Sequence, residues 1–117
     1  MIYEVKITTP AKNDLRGIHR YIANEYNNPT AADRRVSLIH SKLKSLDSNP
    51  ARFALAREDY LASKGVRTLT VKTQIAFYII DENAKVVHVI RIMHGRRDWM
   101  NILKEEIDDL IEDFTTE

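Results

Sequence analysis

Val86-Val87-His88-Val89-Ile90-Arg91-Ile92-Met93-His94-Gly95-Arg96-Arg97-Asp98-Trp99 is the stretch that decides how this chain is read. It starts as a β-branched apolar run, which suits a strand, and it ends in a cluster of charge. In a regular strand Val87, Val89, Arg91 and Met93 share one face, and Val86, His88, Ile90 and Ile92 share the other, with His94 if the strand runs that far. Arg91 and His94 then point apart unless a bulge or the strand end intervenes, and Gly95 marks such an end. An arginine amid apolar neighbours is either paired with an acid, fixing the strand to a helix carboxylate, or held for a partner.

The strands before this segment build a sheet. Ile75 to Ile80 is continuously apolar, so that strand is expected to be covered on both faces. Lys72-Thr73-Gln74 reads as a tight reversal from a strand in which Arg67, Leu69 and Val71 alternate with Thr68, Thr70 and Lys72; Gly65 opens this region. Asp81-Glu82-Asn83 is the turn into the last strand, placed at Lys85 to Met93. These three strands form an antiparallel meander. Ile2 to Thr8 alternates as a further short strand expected to join the same sheet.

Helices flank the meander. Thr9-Pro10 reads as N-cap and first helical residue, since proline lacks only an amide hydrogen that would have no helical partner there. Ala11, Leu15, Ile18 and Ile22 follow at helical spacing, with Tyr26 extending the stripe. Asn27-Asn28-Pro29 breaks it, and Asn28 or Thr30 caps a second helix carrying Ala32, Val36, Ile39, Leu43 and Leu46. So short a break predicts an antiparallel helical hairpin, with Leu15, Ile18, Ile22, Val36, Ile39 and Leu43 as its core against the sheet. Ser48-Asn49-Pro50 ends the second helix, and residues 50–64 carry no clear pattern. From Asp98, the residues Met100, Leu103, Ile107, Leu110 and Phe114 predict an amphipathic helix over about 98–114. The fold class is therefore α+β: an antiparallel sheet in β-α-α-β-β-β-α order on an N-terminal helical hairpin, with a C-terminal helix. One face of the sheet meets the hairpin; the other needs the terminal helix, a partner or water.

The 117 residues suit one domain, 1–117, with one modest core. With no cysteine, disulfides and thiolate metal sites are excluded, and a cytoplasmic location is expected. No apolar run is long enough to span a membrane, and Met1 leads directly into the first strand with no secretory signal, so no membrane role is expected. His19, His40, His88 and His94 are scattered, without metal-ligand spacing. There is no Walker loop, dinucleotide fingerprint or nucleophile elbow, and three glycines leave little for cradling phosphates. No metal or cofactor is expected.

Net charge is +1, but it is unevenly placed. Lys104 to Glu117 holds seven acids (Glu105, Glu106, Asp108, Asp109, Glu112, Asp113, Glu117) against one lysine. Removing that segment from totals of 18 basic and 17 acidic residues leaves 17 and 10 over residues 1–103, a balance of +7. A basic body points to a negatively charged partner, nucleic acid or an acidic protein segment. The acidic helix either covers the basic face or is solvated, and charge runs on helices usually face water. Arg67 and Arg91 can share an open face and bind carboxylate or phosphate bidentately. Arg96 and Arg97 would stand at a helix start, where the dipole does not favour cations, which suggests a partner; Asp98 would cap that helix and Trp99 pin it.

Four stretches together resemble toxins of the ParE/RelE superfamily of bacterial type II toxin–antitoxin systems. They are Thr9-Pro10-Ala11 with Asp14-Leu15-Arg16-Gly17-Ile18 and Tyr21-Ile22; Ala31-Ala32 to Leu46 ending in Asn49-Pro50; Gly65-Val66-Arg67 followed by Ile75-Ala76-Phe77-Tyr78; and Val89 to Asp98. The superfamily holds two activities. RelE-like members cleave messenger RNA on the ribosome without a metal; ParE-like members inhibit DNA gyrase. RNA cleavage needs cations around the phosphate and a proton-transfer group. RelE-like toxins resemble one another in an arginine just before the aromatic pair of the third strand, and often a tyrosine or histidine near the C-terminus. Here the third strand reads Ile75-Ala76-Phe77-Tyr78 with no arginine, and the terminal helix offers Met100, Asn101 and Leu103. The first helix and the stretch Met93 to Asp98 look more like ParE. The resemblance thus implies a growth-inhibiting, plasmid-stabilising toxin that binds DNA gyrase and is neutralised by a cognate antitoxin in a hetero-oligomer. The alternative is a ribosome-dependent endoribonuclease acting on mRNA with Arg67, Arg91 and His94. In the first reading Arg67, Arg91, His94, Arg96 and Arg97 form the partner-binding surface; a member that only binds its antitoxin is a third.

Overall fold

The computed structural model describes residues 2–95 and 99–115, with the main chain alone for residues 99, 100 and 113–115. Its elements are β1 (Glu4–Ile7), α1 (Thr9–Glu25), α2 (Pro29–Lys44), two 3-10 turns (Ser45–Asp47 and Pro50–Arg52), α3 (Asp59–Ser63), β2 (Arg67–Val71), β3 (Gln74–Asp81), β4 (Val86–His94) and α4 (Trp99–Thr115). The expected element order holds, with α3 and the two turns added inside the stretch that had shown no pattern.

The four strands form one sheet in the order β1-β4-β3-β2. β2, β3 and β4 are the expected antiparallel meander, but β1 pairs parallel to β4, Glu4 opposite Val86 through Ile7 opposite Val89. The sheet is therefore mixed. The hairpin α1–α2 is the crossover that carries the chain away from β1, and a parallel neighbour requires a long connection of this kind.

The helix ends follow from their caps. The Thr8 hydroxyl accepts from the Ala11 amide, so the cap of α1 is one residue earlier than Thr9 and Pro10 lies in the first turn. Asn28 caps α2 through its side chain, which accepts from the Ala31 amide, with Pro29 as the first helical residue. Lys72 adopts a left-handed φ of 56° in the two-residue turn between β2 and β3. The Gly95 amide donates to Thr73 O at 2.8 Å, tying the end of β4 to that turn. A Cβ on Gly95 would lie 3.4 Å from the same oxygen, so the close approach favours glycine.

Each sheet face has its own core. On one, Leu15, Ile39, Leu43 and Leu46 meet Leu69, Val71, Ala76, Tyr78, Val87, Val89 and Ile92. On the other, Leu103 and Ile107 of α4 and Leu61 of α3 meet Phe77, Ile90 and Met93. The two cores explain why β3 reads as continuously apolar. They also correct the expectation of a solvated acidic helix: α4 covers the second face with its apolar stripe, while Glu105, Asp108, Asp109 and Glu112 are exposed and Glu106 is half-buried.

Candidate functional site

Where β1 ends, opposite Val89, the edge of β4 is met by other groups. The Thr8 hydroxyl donates to the carbonyls of Val89 and Ile90 at 2.8 and 3.1 Å. Asp14 of α1 then accepts from the Ile92 amide at 2.8 Å. Beside this, β4 carries a bulge. Phe77 pairs with Arg91 but Tyr78 pairs with Val89, so Ile90 is the extra residue. The bulge resets the alternation. Val87, Val89 and Ile92 face the hairpin and Ile90 and Met93 face α4, in place of the strictly alternating faces expected for a regular strand.

Arg91 emerges at this point between α1 and α4. Its Nε and Nη2 donate to the two oxygens of Asp14 at 2.7 and 3.0 Å, and its Nη1 donates to Glu106 at 2.6 Å. The side chains of Arg91 and Asp14 are only 12% and 13% exposed, whereas Glu106 is 42% exposed. The Asp14 hydrogen bonds, followed by those to Glu106, push the guanidinium pKa above its already high ordinary value, outweighing the opposing effect of burial. Arg91 is thus a fixed internal cation with two carboxylate partners. It lines a small cleft of about 420 Å³ with Thr9, Asn13, Asp14, Glu106 and Asp109.

Arg67 is held elsewhere. Its Nη1 donates to Phe53 O at 2.6 Å and Ala51 O at 3.3 Å, and beside it the Tyr78 hydroxyl donates to Pro50 O at 2.6 Å. Together they pin the 50–53 turn to the sheet. Burial pushes the Tyr78 phenol up to about 12, against a smaller downward pull from Arg67 and Arg52. β3 separates Arg67 from β4, so Arg67 and Arg91 serve different partners and do not form one anion clamp.

His94 is exposed at the end of β4, opposite Gln74. It lines a groove of about 870 Å³ between the facing parts of α1 and α2 and the ends of β3 and β4. Asp14 lines both this groove and the cleft beside Arg91. Arg96, Arg97 and Asp98 lie outside the described residues. His19 is bonded to Asp33 at 2.7 Å on the surface. Among the described residues no three His, Asp or Glu side chains converge as metal ligands, and no helix is long and apolar enough to cross a membrane.

The groove wall includes residues that sequence reading had not singled out as a site: Asp14, Gly17, Tyr21, Tyr26, Arg35 and Gln74. Tyr26 does not extend the buried stripe of α1. It follows the helix end and is 67% exposed, edge-on to Tyr21 with ring centroids 6.4 Å apart. The arginine of α2 that faces the sheet, Arg35, donates through Nη1 to Gln74 Oε1 at 2.9 Å. A partial signal was present in the sequence: α1 carries a mid-helix glycine, Gly17, and one tyrosine off its apolar stripe, Tyr21.

Similarity to known proteins can be set beside this geometry. The sequence profile of the ParE toxin of type II toxin-antitoxin system, parDE, matches residues 5–99. The chain belongs to the ParE toxin family. Among solved structures it is similar to the chromosomal ParDE toxin–antitoxin system of P. aeruginosa, with TM-score 0.64, 25% identity, and coverage of 80% of this chain and 96% of that one. The RelBE2 toxin–antitoxin complex of Mycobacterium tuberculosis matches with TM-score 0.56 at 21% identity, over 80% of this chain and 99% of that one. A free-state variant of the E. coli toxin RelE matches with TM-score 0.54 at 14% identity, over 85% and 90%; these last two speak to the fold. No curated protein sequence matches the chain. The family match stops at residue 99, where α4 of this ParE family member begins.

Proposed function

We propose that the chain is a ParE-like toxin that acts by binding DNA gyrase and is neutralised in a cytoplasmic hetero-oligomer by a cognate antitoxin. The observation that carries the reading is the commitment of Arg91. RNA cleavage needs cations free to surround a phosphate whose charge grows in the transition state. Here Arg91 already pairs with two carboxylates, those of Asp14 and Glu106. The position before the aromatic pair of β3, where the RelE-like pattern has an arginine, is Ala76, at 1% exposure inside the hairpin core. Arg67 is bound to backbone carbonyls. A binding function needs none of these to be free, and the basic body with its open groove suits protein partners. Membership of the ParE family supports the same choice, and the neighbouring ParDE structure supports an antitoxin as partner.

The test is direct. Purified chain added to a gyrase supercoiling reaction should inhibit it, and induction in cells should raise DNA breaks. Cleavage of messages in the ribosomal A site, with supercoiling untouched, would replace this reading by the endoribonuclease one.

A further inference from the structure

The side of the helical hairpin turned away from the sheet is a cationic surface. α1 meets the sheet with Ala11, Leu15 and Ile22, and α2 with Ala32, Ile39 and Leu43. On the outer side of α1, Lys12, Arg16 and Arg20 are exposed at intervals of four residues. They make one row about 12 Å long. On α2, Arg34, Ser37, Ser41 and Lys44 are exposed at intervals of three, four and three. They make a second row on one helix face. His19 of α1 is bonded to Asp33 of α2 at 2.7 Å, which brings the flanks beside these rows together.

Helix stability does not account for the α1 row. Like charges four residues apart repel and weaken a helix. Lys12 closes a first turn that has no acid, where the dipole disfavours a cation. Among the described residues Lys12, Arg20, Arg34 and Lys44 form no ion pair, and Arg16 bonds to the neutral Asn13. The acids of the two helices do not offset the rows. Asp14 is turned to Arg91, Asp33 is bonded to His19, and Glu25 is the last residue of α1.

We infer that this outer face of the hairpin binds the phosphate backbone of duplex DNA without reading its sequence. Its cations pair with phosphate oxygens, and the Ser37 and Ser41 hydroxyls add neutral donors. One helix with its side chains is about 10–12 Å across and fills a major groove; two side by side stay on the backbone. Single strands are held by aromatic platforms under their bases, and the two rows carry no aromatic residue. The α1 residues that line the large groove include Asp14, Gly17 and Tyr21 but none of Lys12, Arg16 and Arg20, so DNA on the hairpin leaves that groove free. The choice of DNA over duplex RNA rests on the gyrase reading, since gyrase works on duplex DNA.

Anisotropy of a short labelled DNA duplex, titrated with the full chain, tests the assignment. Binding should have a Kd of about 10⁻⁶–10⁻⁴ M at physiological salt. Its logarithm should follow log salt with a slope of about −4 to −5, at about 0.9 for each of the row cations. Arg16→Gln with Arg20→Gln should weaken binding roughly tenfold or more and reduce the slope by about 2, with an unchanged melting temperature. Lys6→Gln with Arg57→Gln removes the same charge at exposed positions outside the hairpin. It should leave affinity within about twofold, because charges beyond a Debye length of about 8 Å are screened. No duplex binding, equal losses in the two double variants, or a single strand bound as tightly as the duplex would overturn the face and leave the gyrase reading standing. Tighter binding of duplex RNA than of duplex DNA would overturn the choice of DNA. Duplex binding that the hairpin variant loses, in a chain that fails to inhibit gyrase, would support the face and remove the gyrase reading.

Discussion

Asp14 and Arg91 carry more of this structure than any other pair. The Asp14 carboxylate accepts three hydrogen bonds, two from the guanidinium and one from the Ile92 amide just past the bulge. Asp14→Ala leaves the buried arginine with the half-exposed Glu106 alone and strands the Ile92 main-chain donor, and should lower unfolding free energy by about 3 kcal/mol in denaturant titration. Glu106→Gln should cost under about 1 kcal/mol, because its carboxylate is 42% exposed and Asp14 still neutralises the arginine. Equal losses in the two variants would show that the pair is not the anchor. Tyr78 gives a pH signature. Its phenol ionises near 12 in the folded chain against an ordinary value of 10.0. The stability it contributes is full below pH 10 and lost as pH rises through the folded value, since the unfolded chain gives up that proton first. Tyr78→Phe should remove this part of the alkaline decline and cost about 1 kcal/mol at neutral pH for the lost bond to Pro50 O. The sequence already made a paired Arg91 one of two readings, because an arginine amid valines and isoleucines needs an acid. It did not say which acid, since Asp14 is 77 residues away. Nor did it reveal the bulge at Ile90, since no single residue in Val89-Ile90-Arg91 demands one.

At the scale of elements, α4 is the distinctive part. It begins where the family match ends and buries Leu103 and Ile107 completely against Phe77, Ile90 and Met93. Tyr60 of α3 and Lys64 just after it both reach Asp108 on its outer side, at 2.8 and 3.3 Å. These contacts are exposed, so the apolar stripe does most of the holding. Ile107→Ala should destabilise the chain by about 2–5 kcal/mol in denaturant titration. Lys64→Ala should change stability by less than about 1 kcal/mol. Hydropathy spacing located α4 well, with Leu103 and Ile107 read as inward residues. The acid run pointed to a solvated helix, because charge on an outer face says nothing about what the inner face touches. The same limit applies to the strands. The meander could be read from alternation and turn residues, while the parallel placement of β1 depends on contacts between Glu4–Ile7 and Val86–Val89, far apart in sequence. Residues 50–64 are held by bonds from Arg67 and Tyr78, by main-chain bonds between Ala56 and Val66 and between Thr68 and Ala54, and by Leu61 in the second core, none of which leaves a periodic trace.

For the whole molecule, among the described residues, the two sheet faces are covered by the chain's own helices, and a groove stays open beside Gly17. Under the proposed binding function that groove is the candidate contact surface. Fold and family were readable while this candidate surface was not: apolar periodicity fixes what is buried, whereas Tyr21, Tyr26 and Arg35 come together only once two helices and two strand ends meet. The central claim, that this toxin works by binding gyrase, is tested most directly by supercoiling of relaxed plasmid by purified gyrase with increasing amounts of the chain. Inhibition that the antitoxin reverses is the predicted result; full supercoiling at saturating chain, together with message cleavage on added ribosomes, would contradict it.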